Sequence, residues 1–141
     1  MSVDLCAELN QHLRKGFVEL LGLEYTAVSG DAVRAECTVR PELLQPYGIL
    51  HGGVHCAVVE TLASTGAAVW LGERGQVVGV SNSTDFLRAV RAGVLAAVAT
   101  PVHRGRLQQL WEVRITDVDD RLLAKGQVRL QNILDAERLG H

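Results

Sequence analysis

Apolar residues recur along this chain at two different spacings, one typical of helices and the other typical of strands. From residue 4 to residue 21 the spacing is helical, with apolar side chains at Leu5, Leu9, Leu13, Phe17, Leu20 and Leu21. This segment predicts an N-terminal helix, for which Ser2 or Asp4 is a suitable cap and Gly22 a suitable end.

The remaining apolar runs are mostly shorter and are separated by turn-forming residues, as strands are. Residues 23–29 and 32–38 flank a Ser-Gly-Asp turn and predict a hairpin. Four longer runs follow later in the chain, at residues 77–87, 94–102, 107–116 and 122–133. Alternation is clearest in the third of these, where Trp111, Val113 and Ile115 share one face and polar residues occupy the other.

One segment, residues 53–71, is apolar almost all round and is long enough for about five helical turns. The loop before it, residues 41–50, holds two prolines and a glycine. The order of elements is therefore helix, two strands, long helix, four strands. This order predicts an α+β architecture, in which a six-stranded antiparallel sheet wraps around one long central helix and the N-terminal helix is added to it.

Composition narrows the class of protein without changing this architecture. At 141 residues and 48% hydrophobic content the chain has the size of one domain, so we expect residues 1–141 to form a single domain. A net charge of −2 gives no general attraction for nucleic acid or an anionic membrane. No uninterrupted apolar run has membrane-spanning length, and the N-terminus lacks the pattern of a signal peptide. We expect a cytoplasmic protein that binds neither nucleic acid nor membrane, with its three cysteines reduced.

Glu60 is the only carboxylate between residues 53 and 71. A buried carboxylate is costly unless it is compensated, so Glu60 is either a catalytic group or a structural residue paired with a buried Arg or Lys. The helix start at Gly52 is a second candidate, because its unpaired N–H groups and the helix dipole favour an oxyanion. Eight helical residues separate the two by about 12 Å. One reacting carbon cannot touch both, so a catalytic role for both predicts a dimer with antiparallel helices side by side.

The residues around the helix start leave several interpretations open. Gly52 and Gly53 either admit a ligand close to the backbone or only shape the entry to the helix. His51 and His55 are four residues apart, which is weak support for zinc, and we expect no metal site. Cys56 with either histidine would form a nucleophile and its base, but no third residue is at hand to orient them.

Basic residues cluster after two of the predicted strands. Arg88 and Arg91 follow one, while Arg104 and Arg106 flank Gly105 in the sequence His-Arg-Gly-Arg. Guanidinium groups in these places suit phosphates such as those of coenzyme A, or they form solvated basic turns. The glycine-rich motifs of the common nucleotide-binding folds are absent from the sequence, so we expect no separate nucleotide cofactor.

The chain resembles the hotdog-fold thioesterases, in particular the phenylacetate-pathway and Arthrobacter-type hydroxybenzoyl-CoA thioesterases. The matching features are Gln45, His-Gly-Gly at residues 51–53, Glu60 nine residues after His51, Asp-Phe-Leu-Arg at residues 85–88, and the turn at residues 103–106. The match extends from the N-terminal helix to about Ile133. Two features depart from the family pattern, namely Ala89 where many relatives have proline, and Asp85 and Phe86 where some relatives have a histidine.

The resemblance implies a hotdog fold that hydrolyses an acyl-CoA thioester at a subunit interface, in a dimer or a dimer of dimers. Coenzyme A would enter only as part of the substrate. Glu60 would be the nucleophile or the general base, and the Gly52 amide would polarise the carbonyl, helped by Gln45 and His51. Ser64 would contact the substrate or the attacking water. Further substrate contacts would come from Gly53, Asp85, Arg88, His103, Arg104, Gly105 and Arg106.

Two other functions stay open. A hotdog dehydratase or hydratase also pairs an acid or base with a helix-start amide. A non-catalytic acyl-CoA sensor would bind the same ligand, although the chain has no basic recognition helix with which to bind DNA. The presence of Glu60 favours catalysis.

Overall fold

The N-terminal segment forms two helices in the computed structural model, which describes residues 5–12 and 15–134. They are α1 (Leu5–His12) and α2 (Gly16–Leu21), so the prediction of one continuous helix is wrong. Lys15 is extended, with φ −134° and ψ 155°, and Gly16 has a left-handed φ of 58° that glycine adopts without strain. The helix ends at Gly22 as predicted, whereas the predicted caps Ser2 and Asp4 lie outside the described residues.

The strands form one antiparallel sheet of six, which confirms the predicted architecture. The elements are β1 (Glu24–Val28), β2 (Val33–Thr38), β3 (Gly75–Phe86), β4 (Val94–Arg104), β5 (Gln108–Thr116) and β6 (Leu122–Leu134). Their order across the sheet is β1-β2-β4-β5-β6-β3. β4 continues two residues beyond the predicted end, so His103 and Arg104 are strand residues rather than turn residues.

The central helix α3 (Gly52–Leu71) packs on one face of the sheet. Trp111, Val113 and Ile115 of β5 point toward it and are buried, as the alternation predicts. The indole of Trp111 lies against Gly66, where a Cβ atom would come within 2.6 Å of the ring. A glycine on this face of the helix therefore makes room for the largest side chain of the core.

The sheet covers only part of the apolar surface of α3. By length and composition residues 52–74 would suffice to cross a membrane, and half of their most apolar stretch is buried within the fold. Ala63 and Ala67 are fully buried, whereas Gly53 and Ala68 are exposed. One side of an apolar helix thus remains uncovered in a single chain, which favours a partner on that side.

β3 is an edge strand of twelve residues, hydrogen-bonded to β6 on one side only. Its register with β6 slips between Gly79 and Ser81, which makes Val80 the extra residue of a β-bulge. Val80 is 51% exposed. A long edge strand with exposed apolar side chains is a surface on which another strand can pair.

Candidate active site

Glu60 lies in the middle of α3, and its carboxylate is directed to β3. Asn82 Nδ2 donates a hydrogen bond to Glu60 Oε1 at 3.0 Å and another to the Cys56 carbonyl at 3.2 Å. Thr84 Oγ1 donates to Asn82 Oδ1 at 2.7 Å, which leaves the amide nitrogen of Asn82 to face the helix. The hydrogen bonds from Thr84 to Asn82 and from Asn82 to Glu60 therefore position this carboxylate at the free edge of the sheet.

The bulge at Val80 creates the surface on which Glu60 rests. In a regular strand Gly79 and Asn82, three residues apart, would face opposite sides of the sheet. Here Gly79 pairs with Leu130 and Asn82 with Val128, so both face α3. A Cβ atom at position 79 would overlap Glu60 Oε2. A side chain at position 79 would have to displace the carboxylate, so glycine here allows Glu60 its present position.

The interpretation of Glu60 as half of a structural ion pair receives no support. Among residues 5–12 and 15–134, no Arg or Lys forms a salt bridge with Glu60, and the partner that the structure provides is the neutral amide of Asn82. Ser64 lies one turn further along the same side of the helix and is half-buried.

His51 caps the start of α3 through its side chain. Its Nδ1 accepts a hydrogen bond from the Gly53 N–H at 2.7 Å, so the Gly53 amide is occupied. Gly52 is the first residue of the helix, and its N–H makes no hydrogen bond with any residue in the described part of the chain. Of the two glycine amides, that of Gly52 is therefore the one free to bind an oxyanion.

The loop before α3 is tied to the segment that follows β3. The Leu50 N–H donates to the Val90 carbonyl at 2.8 Å, and the His51 N–H donates to the Leu43 carbonyl at 3.0 Å. The Gln45 side-chain oxygen accepts from the Tyr47 N–H, which leaves its NH2 group for another partner. These contacts place Gln45 and Gly52 beside Arg88.

A cavity of about 390 Å³ opens between these two segments. Its wall is mostly apolar, with Gln45, Gly52, His55 and Arg88 as the lining residues that contribute polar groups or free backbone. The ring of Phe86 lies over Gly52, where a Cβ atom would come within 2.9 Å of it. The same ring stacks on His55, with centroids 5.9 Å apart and an angle of 30° between the planes.

The structure does not bring all the predicted site residues together within one protomer. Gln45, Gly52 and Arg88 meet at the cavity, whereas Glu60 and Ser64 lie further along α3. Asp85 is on the opposite face of β3 from Phe86, exposed and across from Lys125, so it does not reach the cavity. Gly53 lies in a second groove of about 330 Å³ with His51, between α3 and α2.

The segment from His103 to Arg106 is separate from all of these residues and lies at the far end of α3. Arg104 Nη1 donates to the Gly30 carbonyl at 2.5 Å and pairs with Asp31 at 2.9 Å, and the guanidinium lies over the ring of Trp70. Trp70 is eighteen residues beyond Gly52, or about 27 Å along the helix. Within one protomer, Arg88 and Arg104 therefore cannot bind the same phosphate group.

The turn that carries Gly105 and Arg106 is held from inside the core. Asn132 Nδ2 donates to the carbonyls of both residues at 3.0 Å. Gln109 Nε2 donates to Asn132 Oδ1 at 2.9 Å, and Trp111 Nε1 donates to Gln109 Oε1 at 2.8 Å. His103 and Arg106 themselves are exposed.

Sequence reasoning did not identify the residues that orient the site, namely Asn82, Thr84 and Phe86. A signal was present, because they alternate along a predicted strand, yet the bulge that turns Asn82 toward Glu60 is not visible in the pattern. His55 was considered only as a metal ligand or as a base for Cys56. In the described residues no three His, Cys, Asp or Glu side chains cluster in a way that could hold a metal ion.

Comparisons with known proteins agree with this fold. Residues 47–124 match the family model of the thioesterase superfamily. The structure is similar to AziG of S. sahachiroi, with 54% identity, a TM-score of 0.85 and coverage of 86% of this chain and 98% of that one. It is also similar to a thioesterase of Haemophilus influenzae, with 33% identity, a TM-score of 0.88 and coverage of 99% and 97%.

One relative of this chain is named for a specific reaction. The 1,4-dihydroxy-2-naphthoyl-CoA hydrolase of Listeria monocytogenes is 34% identical over 108 residues, which are 77% of this chain and 88% of the relative. The chain belongs to the thioesterase superfamily. It is a thioester hydrolase, and its predicted hotdog fold is confirmed.

Proposed function

We propose that this protein hydrolyses acyl-CoA thioesters at sites shared by two copies of the chain. The observation that carries the proposal is the orientation of Glu60. Its carboxylate is held by Asn82 on the edge strand, about 12 Å along the helix from the free Gly52 amide. Because Glu60 lies at the edge of the sheet, a second protomer can approach it and contribute residues that bind the substrate.

The partner is a second copy paired through β3. Antiparallel pairing of two β3 edges about a two-fold axis extends the sheet and covers Val80 in both copies. The same axis brings the uncovered sides of two α3 helices together in antiparallel orientation. Glu60 of one copy then approaches the cavity that holds Gly52 and Gln45 of the other. A dimer of such dimers is compatible with this arrangement.

In the proposed reaction the Gly52 N–H and the Gln45 NH2 group polarise the thioester carbonyl, and His51 fixes the helix start. Glu60 either accepts a proton from water, which attacks the carbonyl carbon, or attacks that carbon itself to form an anhydride that water then opens. The tetrahedral intermediate expels the thiolate of coenzyme A, which takes up a proton. Ser64 contacts the water or the acyl group.

Phosphate binding is assigned to exposed basic groups. Arg88 lies on the cavity wall, and His103 and Arg106 are exposed at the other end of α3, where the Arg104 guanidinium and the Gly105 backbone shape the turn. No metal or bound cofactor takes part in this scheme, since coenzyme A enters with the substrate. A cytoplasmic location, where acyl-CoA is formed and used, remains a prediction.

The direct test is thiol release from a panel of acyl-CoAs by Glu60→Gln. Loss of a general base or nucleophile is expected to lower kcat by about 10²-fold or more while the fold is retained. Glu112→Gln is the matched control, because Glu112 lies on the outer face of the sheet beside Lys125. An unchanged kcat in Glu60→Gln would remove the assignment of Glu60.

The shared site is tested with a heterodimer of Glu60→Gln and Gln45→Ala chains, isolated with two different tags. One of its two sites would combine both intact residues, so about half of the wild-type activity is expected from two nearly inactive parents. A heterodimer as inactive as its parents would contradict the shared site. Hydration of enoyl-CoA without thiol release, or tight binding without turnover, would favour the hydratase or the sensor instead.

A further inference from the structure

His55 is a buried polar residue that the proposed reaction does not use. It is the fourth residue of α3, its side chain is 4% exposed, and it lines the cavity with Gly52 and Gln45. Its Nδ1 atom is buried and has no hydrogen-bond partner. Most buried polar atoms are paired, and an unpaired one costs about 1–3 kcal/mol.

The imidazole of His55 is neutral near pH 7, since burial lowers its pKa. A neutral imidazole has one N–H donor and one nitrogen acceptor. The neighbouring helix residues Val54, Val58 and Val59 are apolar and well packed, so packing alone does not require a histidine here. The unpaired nitrogen therefore points to a partner that arrives with the ligand.

The position of His55 fixes which part of a ligand it would meet. It lies three residues after Gly52, about 4.5 Å further along the helix and on nearly the same side. A carbonyl oxygen at the Gly52 amide would place the next few atoms of the acyl group at the imidazole. Phe86 stacks on His55 and covers Gly52, and the residue is 56% exposed, so a ligand that reaches the imidazole would contact this ring.

We propose that His55 determines acyl-group specificity by forming a hydrogen bond with a hydroxyl group a few bonds from the thioester carbonyl, while Phe86 packs against a planar acyl group. The proposal rests on the proposed function in that Gly52 holds the carbonyl. A site with a buried hydrogen-bonding group discriminates strongly against the analogue that lacks the hydroxyl, because its own polar group then stays unpaired.

The test compares benzoyl-CoA with its 2-, 3- and 4-hydroxy derivatives. For the wild type, kcat/KM for at least one hydroxylated isomer is expected to exceed that for benzoyl-CoA by about tenfold or more. His55→Leu should remove this preference. His55→Asn, whose amide branches at the position of Nδ1, should retain part of it. Ile49→Val, which shortens an apolar residue of the same wall, should alter all four substrates together.

A binding measurement separates this inference from the proposed hydrolysis. The phenacyl thioethers of coenzyme A, with and without a ring hydroxyl, present a ketone carbonyl beside the ring, and a methylene group between this carbonyl and sulfur prevents hydrolysis. A wild-type binding preference for a hydroxylated thioether that His55→Leu loses supports the role of His55, even if no thioester is turned over. Equal binding of all thioethers by the wild type, or an unchanged preference in a folded His55→Leu, would overturn it.

Discussion

Asn82 Nδ2 lies 3.0 Å from Glu60 Oε1 and 3.2 Å from the carbonyl oxygen of Cys56. One side chain of the edge strand thus binds both the carboxylate of the central helix and the helix backbone one turn earlier. The contact fixes where the carboxylate stands relative to the edge at which a second copy is proposed to pair. Asn82 is accordingly a positioning residue, because it acts on the reaction through Glu60.

Removal of this contact should lower kcat more than it changes KM. Hydrogen bonds to charged groups contribute about 1.5–3 kcal/mol, so Asn82→Ala is expected to reduce kcat by about tenfold or more. Ser81→Ala, in the adjacent residue on the outer face of β3, is the control and should retain the wild-type rate. Steady-state thiol release checks both variants, and an equal rate in Asn82→Ala and Ser81→Ala would contradict the positioning role.

The close approach of Gly79 to Glu60 gives a second test. A methyl group in Gly79→Ala would overlap Glu60 Oε2 and displace the carboxylate, and displacements of about 1 Å can cost on the order of 10²-fold in rate. If the effect passes through Glu60, Gly79→Ala should add little to the loss already caused by Glu60→Gln. Independent, multiplicative losses in the double variant would show that the substitution acts elsewhere.

Arg88 is predicted to bind a phosphate of coenzyme A from the cavity wall. Arg88→Ala should raise KM for an acyl-CoA by about tenfold, which corresponds to about 1.4 kcal/mol for a charge-assisted contact. The same acyl group on pantetheine, which lacks the nucleotide, should show no such change. Arg114→Ala, on the exposed outer face of β5, is the control. A parallel rise in KM for the pantetheine thioester would show that Arg88 contacts a part of the substrate other than the nucleotide.

Gly66 is a stability test that does not depend on the reaction. Gly to Ala inside a helix normally stabilises it by about 1 kcal/mol, but here the methyl group would lie within 2.6 Å of the buried Trp111 ring. Overpacking of a core typically costs about 1–3 kcal/mol, so Gly66→Ala should lower the free energy of unfolding. Urea denaturation of the wild type and the variant measures the change. A stabilised Gly66→Ala would mean that the indole has room to move.

Protonation of His55 should make stability depend on pH in a definite direction. Because burial lowers the pKa of His55, the unfolded chain takes up a proton below about pH 6.5 while the folded chain resists it. The free energy of unfolding should therefore decrease as the pH is lowered from 7.5 to 5.5.

His55→Leu should lose this part of the pH dependence, which urea denaturation at three pH values can measure. The pKa of Asp117 is lowered, chiefly by a hydrogen bond from the Arg121 N–H, so its contribution to stability is present above its usual range and is lost at more acidic pH. The two effects occupy separate windows. An unchanged slope above pH 5.5 in His55→Leu would contradict the assignment.

The fold was predictable because its elements differ in period and burial. β5 alternates strictly since one of its faces meets α3 and the other does not, and α3 is apolar because the sheet curves around it. The break between α1 and α2 was missed because apolar spacing continues across Lys15 and Gly16. Gly16, which adopts a left-handed conformation in the structure, is the sequence signal of this interruption. A single glycine within a helical pattern is weak evidence that a helix is interrupted.

The candidate site was predictable only in part. Glu60 and Gly52 stand out because each is anomalous within an apolar helix, and helix geometry alone gives their separation. The residues that contact them lie far away in sequence. The direction in which the Asn82 side chain points depends on a β-bulge that no local sequence pattern indicates. The family resemblance made Asp85 a predicted substrate contact, although strand alternation places it on the opposite face from Phe86.

The bulge at Val80 gives β3 one residue more than its pairing with β6 requires. Loss of Val80 would leave Gly79 and Asn82 two residues apart in a regular strand, and every side chain from Ser81 to Phe86 would keep its face. Asn82 would still face Glu60, and Asp85 would still face away from the helix. In the divergence of this protein, both substitution and loss of the exposed Val80 can therefore occur without exchanging the two faces of the strand.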